Sequence, residues 1–481
     1  MTDLSPLAGI AGLAKLNLQH CSGFGDLSPL AALKDLSCLF ICGCEGVEDF
    51  SSLAGLANLK DLTLFRYDEL TDLRPLAGLT GLTKLDLTCC SELTDLSPLA
   101  GLTSLTELNL RGCSELTDLR PLAGLTSLTE LDLSKCPDLQ DILPLKNLTG
   151  LVRLDLSDCP ELTDISAVSK LSNLTELDLS CCPNLAPVLP PLPKLKNLDS
   201  LSISGSQITD ISSLSDLTAL KALCLQDCCH LTDLSPLSKL TKIKQLGLNG
   251  CSSLTDLKPL ADLPNLVHLN LGESDDSGCS SLKDLSPLSG LKALKYLHLS
   301  RAVSLADLSP LSGLTDLHDL YLSNCPNLSD LSPLKQMTKL SLLDLTDCIL
   351  ITSLSPLGKL KSLVELELSG CPNITDLAPL GHLKNLKYLS LSGCRSLSDL
   401  APLGNLTDLT ILDLSGCSGL SDLAPLGKLK NLYRLDLSGC SGLSDPAPLG
   451  KLKNLFRLDL SGCGLTDVSS LKHQPILINL N

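Results

Sequence analysis

Tryptophan is absent from this 481-residue chain, and ring-bearing side chains amount to five Phe and five Tyr. Ordinary globular cores bury many rings, so this scarcity excludes such a core and leaves an interior filled by aliphatic side chains, overwhelmingly Leu, at many equivalent positions. Basic residues are also short, 37 Lys and Arg against 54 Asp and Glu, for a net charge of −17. That balance disfavours nucleic acid and anionic membrane surfaces, which need cations against phosphate, and favours basic partners. No run of about 18 residues is free of polar side chains, so no membrane insertion is expected. The N-terminus (Met1, Thr2, Asp3, Leu4, Ser5, Pro6) lacks the basic-then-apolar pattern of a signal peptide. With 23 cysteines spread along a long chain rather than packed into a small one, a reducing, cytoplasmic location is expected. Also missing are a Gly-x-x-x-x-Gly-Lys phosphate loop, His-Glu-x-x-His and Gly-x-Ser-x-Gly. With only seven His, neither catalysis nor a cofactor is expected. The hydrophobic content of 43 % argues against disorder.

What is present is a repeat. Cysteines recur at Cys21, Cys44, Cys90, Cys113, Cys136, Cys159, Cys182, Cys228, Cys251, Cys279, Cys325, Cys348, Cys371, Cys394, Cys417, Cys440 and Cys463, with Tyr67, Ser206 and Ala302 filling the remaining rungs. The step is 23 residues almost throughout. One unit reads Leu105, Leu108, Leu110, Cys113, Leu116, Leu119, Leu122, Leu125, Leu128, with polar residues or Gly filling most gaps. The alternation of Leu108 and Leu110 predicts a strand. Beyond Cys113 the apolar spacing becomes three, which suits a turn and a short helical or 3₁₀ return. No unit buries its Leu face alone, so neighbours must stack into an α/β solenoid of about 20 repeats, a horseshoe lined by one parallel concave sheet.

This pattern resembles the leucine-rich repeat superfamily over the whole chain. Thr117, Asp118, Leu119, Arg120, Pro121, Leu122 and Thr94, Asp95, Leu96, Ser97, Pro98, Leu99 look like the short repeats of internalins and of the phosphatase-regulating type, which usually carry Asn where this chain has Cys. Leu414, Ser415, Gly416, Cys417 and Leu437, Ser438, Gly439, Cys440 are similar to kinetoplastid leucine-rich proteins and, more distantly, to plant intracellular immune receptors.

In most units an acidic residue follows the rung by five positions (Asp26, Asp49, Asp72, Asp95, Asp118, Asp233, Asp256), with Pro187 and Ser353 as exceptions. Its expected role is structural, accepting backbone N–H groups of its own turn, with the following Ser-Pro supplying a side-chain cap. The rung cysteines are expected to be free thiols packed as small hydrophobes. Neighbouring rungs about 4.8 Å apart exceed the roughly 3.8 Å Cβ spacing of a disulfide, and thiols in a row do not converge on a metal.

The array is irregular in a Pro-rich repeat over 183–206, where a bend is expected, and in an insertion over 273–278 that lengthens one rim loop. Neither end shows an evident polar cap, which leaves open a fragment of a longer chain or ends covered by a partner. Otherwise residues 1–481 read as a single solenoid.

Binding is expected on the concave face, at the residues that alternate with inward Leu. Two groups stand out. Asp132, Asp155 and Asp178 form an acidic run, with a solvated face interleaved by Arg153, Arg434 and Arg457 as the alternative. His268, Asn270, Tyr296, His298, His318, Asp319 and Tyr321 fall on three consecutive strands beside the insertion, and Tyr is a frequent hot spot. Surface drift is the alternative there. The expected function is a protein–protein interaction scaffold with a protein partner, the charge favouring a basic one. Two other readings stay open: the sensor or substrate-recruiting domain of a longer enzyme or immune receptor, and a surface adhesin resembling internalins.

Overall fold

The computed structural model describes residues 3–479 apart from 20, 22–24, 45, 48, 193, 273–281, 466 and 472–476. The insertion at 273–278 and the rung Cys279 therefore lie outside the described residues. The chain forms two compact units, residues 1–228 and 229–481. Each is a stack of one repeated element pair, a short strand followed by a 3₁₀ turn. In the first unit the strands run from Lys15–Gln19 to Ala222–Cys224, in the second from Gln245–Gly247 to Leu477–Asn479. Strands of consecutive repeats pair in parallel, rung against rung, as in Leu108 with Leu131 and Leu131 with Leu154. The second unit repeats this pattern, from Leu246 with Leu269 to Leu435 with Leu458.

Alternation along the strand and spacing by three along the return both aim Leu at one interior. Leu105, Leu108, Leu110, Leu116, Leu119, Leu122 and Leu125 are all buried, as are their equivalents in neighbouring repeats. The short return suits a 3₁₀ turn because Pro, lacking an N–H, is tolerated where a helical segment begins, and three residues complete it, as in Ser97–Leu99. The turn's first N–H groups are held by the acidic ladder. Asp26, Asp95 and Asp233 accept the backbone N–H of Ser28, Ser97 and Ser235 at 2.7–2.8 Å. The expected Ser cap is corrected here. Ser is the first residue of the turn, the preceding Leu makes no side-chain cap, and the Ser28 hydroxyl donates to Asp26 instead. These bonds hold Asp95 and Asp233 below the usual carboxylate range, and the Arg74 guanidinium brings Asp72 to about 2. The two exceptions behave accordingly. The repeat with Pro187 shows no 3₁₀ turn among its described residues, and Ser353 accepts the Ser355 N–H at only 3.4 Å.

The Pro-rich repeat does not interrupt strand pairing. Asp178 pairs with Ser202 across a step of 24 and Ser202 with Cys224 across a step of 22, so the extra residue is absorbed in the return and register is restored.

Among the described residues the rung cysteines form no disulfide and, from Cys44 onward, are buried. Packing is only part of their role. Rung thiols donate to the carbonyl just after the strand of the preceding repeat: Cys159 to Leu133 at 3.2 Å, Cys182 to Leu156 at 3.1 Å, Cys440 to Leu414 at 3.0 Å. The backbone of the previous rung, Cys136 beside Cys159 and Cys417 beside Cys440, works against burial by favouring the ionised sulfur. The thiol thus ties successive repeats as a donor. Burial dominates its acidity and pushes Cys136, Cys159, Cys182 and Cys348 up to about 12.

Two predictions follow from the rung. Cys159→Ala leaves the Leu133 carbonyl without its donor and should cost about 1–3 kcal/mol, whereas Cys159→Ser keeps a donor and should cost less. Urea unfolding of the two variants compares them, and a larger loss with Ser would reduce the thiol to a packing element. The second concerns alkali. Below about pH 8.5 thiols are protonated in both folded and unfolded chains and their contribution is complete. Above it the unfolded chain releases protons that the folded chain keeps, so stability should fall with rising pH, by up to about 1.4 kcal/mol per pH unit for each rung that opens. Thermal unfolding between pH 8 and 10, beside a variant with several rungs changed to Ser, isolates this slope.

Candidate functional site

The strand face of the first unit carries a groove of about 420 Å³ between Lys84 and Ser202. Side chains alternating with buried Leu line it in two columns. In the first, Lys84 pairs with Glu107 at 2.7 Å, and Arg153 bridges Glu130 and Glu176 at 3.3 and 3.1 Å. These pairs are half-exposed and contribute little to stability. The second column contains Asp132, Asp155 and Asp178, side by side in register. Each uses one oxygen, Oδ1, to accept both the backbone N–H and the hydroxyl of the Ser two residues on, at 2.5–2.9 Å. Parallel strands thus hold three carboxylates that would otherwise repel one another, because each is fixed to its own turn. Burial dominates at Asp132 and raises its carboxyl, against the lowering effect of Ser134. Among the described residues no Lys or Arg forms an ion pair with these three.

In the second unit the strands His268–Asn270, Tyr296–His298 and Asp319–Tyr321 are consecutive and in register, so six of the seven singled-out residues share one face. The His268 and Tyr296 rings stack at 4.1 Å and 5°. His298 meets Tyr321 edge-on at 5.0 Å. His298 Nε2 lies 2.9 Å from the Ser300 hydroxyl, which accepts from Ser323 at 2.8 Å. Burial lowers both imidazoles, favouring their neutral forms. His318 falls outside the strand, with Nδ1 2.9 Å from the Asp316 carbonyl. No group of His, Cys, Asp and Glu suited to a metal occurs among the described residues, and no described helix is long and apolar enough to cross a membrane.

A family model described as leucine-rich repeats in two copies matches residues 103–147, 196–239, 292–336 and 384–428, at the same phase of the strand-and-turn unit seen here. The chain is a leucine-rich repeat protein. Solved structures with TM-scores above 0.5 share the fold. TLR13 in its complex with ssRNA13 is 22 % identical, with 97 % of this chain and 77 % of that one covered and a TM-score of 0.64. A TDR receptor is 18 % identical, covering 98 % and 84 %, with a TM-score of 0.52. An internalin from Listeria monocytogenes is 25 % identical, covering 80 % and 88 %, with a TM-score of 0.45. No curated protein matches the sequence significantly. Leucine-rich repeat domains are typically non-catalytic scaffolds for protein binding.

One surface of this leucine-rich repeat protein escaped the sequence reading. Tyr433 and Phe456, each 51 % exposed, stack at 5.2 Å and 9° beside the register partners Arg434 and Arg457. Two aromatics one period apart, in a chain with ten, are the signal that marks them.

The two hydrogen bonds accepted by each acidic-run carboxylate separate its structural from its electrostatic part. Asp155→Asn keeps Oδ1 as acceptor and should change stability by less than about 0.5 kcal/mol, whereas Asp155→Ala strands the Ser157 N–H and should cost about 1–2 kcal/mol. Chemical denaturation of both variants checks this, and equal losses would show that the charge itself holds the turn.

Proposed function

We propose that this protein is an interaction scaffold that takes a basic segment of a protein partner across its strand face. The reading rests on Asp132, Asp155 and Asp178, three adjacent carboxylates that line a groove without an ion pair to Lys or Arg among the described residues. Each has one oxygen engaged in its turn, which leaves the other available to an incoming cation. Because the backbone fixes these oxygens before binding, little ordering entropy opposes a ligand. The net charge of −17 would add long-range attraction for a basic partner.

The test is affinity capture with the full chain, followed by association kinetics of the captured partner against wild type and the triple variant Asp132→Asn, Asp155→Asn, Asp178→Asn. The turns persist in that variant while three charges go. The association rate should fall about tenfold at low salt and its salt dependence should flatten. A partner whose kinetics are indifferent to the three substitutions would refute the groove as its contact surface.

A further inference from the structure

The strand face of the second unit has a composition of its own. Across the six strands from His268–Asn270 to Tyr388–Ser390, the outward positions hold four carboxylates, three Tyr, two His and no Lys or Arg. The carboxylates are Asp319, Asp344, Glu365 and Glu367, and none has a Lys or Arg ion-pair partner among the described residues. Two of these acids take neutral donors: Asp319 accepts the Ser341 hydroxyl at 2.9 Å and Asp344 the Thr346 N–H at 2.9 Å. Asp319, Asp344 and Glu365 all act electrostatically on Tyr321, so the ring and these acids form one cluster.

The rings are held rather than free. Tyr296 is backed by His268 in a parallel stack and remains 37 % exposed. Tyr321 is fixed edge-on by His298, itself anchored on Ser300. Fixed aromatic faces beside unneutralised carboxylates suit a cation that stacks and forks. Guanidinium does both, since its plane lies over a ring while its N–H groups reach carboxylate oxygens. An ammonium is a point charge and gains less from a flat face.

We propose that this face is a receptor for an arginine side chain of the partner, the guanidinium lying over Tyr296 and Tyr321 with Asp319, Asp344 and Glu365 taking its N–H groups. The proposal rests on the scaffold reading above but engages different residues, in the other unit. It makes the second unit the selective contact, with arginine identity read by rings and acids together.

The experiment titrates the full chain with fluorescein-labelled Gly-Ser peptides carrying four Arg, four Lys or four citrulline residues, the last isosteric with Arg and uncharged. The Arg peptide should bind at least fivefold tighter than the Lys peptide, and the citrulline peptide should lose thirtyfold or more. Tyr296→Leu with Tyr321→Leu should weaken the Arg peptide tenfold or more and abolish the preference over Lys, with circular dichroism and thermal unfolding unchanged. Asp319→Asn with Glu365→Gln should weaken both cationic peptides. Equal affinity for Arg and Lys, or an Arg preference that survives loss of both tyrosines, overturns the arginine receptor. If cationic peptides bind and are lost only with the Asp132, Asp155 and Asp178 substitutions, the scaffold reading stands and this one falls. If no cationic peptide binds the folded chain, this one also falls, while partner capture still decides the scaffold reading separately.

Discussion

Everything in this molecule answers to one constraint: the neighbour of each residue is its own equivalent from the next turn of the chain. Strand pairs with strand in register, so Leu108 meets Leu131 and Asn109 meets Asp132. A side chain persists in such a column only if it tolerates its own kind at strand spacing, about 4.8 Å away. Leu satisfies this by packing. Cys satisfies it because a thiol packs as a small hydrophobe and donates to the backbone of the preceding repeat. Asp satisfies it by turning inward on its own chain, one oxygen bound to the residue two positions on.

Backbone strain is distributed by the same rule. Among the described residues, the one before each rung adopts positive φ, near +70° at Gly416 and Gly439 and near +57° at Lys135, Asp158 and Cys181. That conformation lets the residue's N–H donate to the next repeat, Lys135 to Ser157 and Gly416 to Ser438. Non-Gly residues pay about 1 kcal/mol for it, so side chains there are retained against a local preference for Gly. Asn327 and Asn373 show a similar economy, since their amides donate to carbonyls of the preceding repeat, Val303 and Ile349.

The fold was legible in the sequence because a period of 23 multiplies each weak signal, so that strand, return and acidic turn are all read many times over. The placement of His268, Tyr296, His298, Asp319 and Tyr321 on adjacent strands was legible for the same reason, since register follows from counting. Less legible were roles that depend on reach. The thiol bond to a carbonyl 26 residues earlier does not show in spacing, because packing alone would select the same residue. Asp132, Asp155 and Asp178 looked like surface charge until their second bond, to the Ser hydroxyl, appeared. The cap was misassigned to Ser because Asp and Ser sit two residues apart and only geometry tells donor from acceptor.

The buried thiols have one more consequence. A cysteine attacks electrophiles and oxidants as its thiolate, and a rung held near 12 keeps almost none of that form at neutral pH. Reaction then requires the repeat to open, so the modification rate of a given rung measures how often that particular repeat breathes. The chain carries, at nearly every turn of its coil, a clock set by local unfolding. Read along its length, those clocks would trace which stretches of the stack are firm and which yield first.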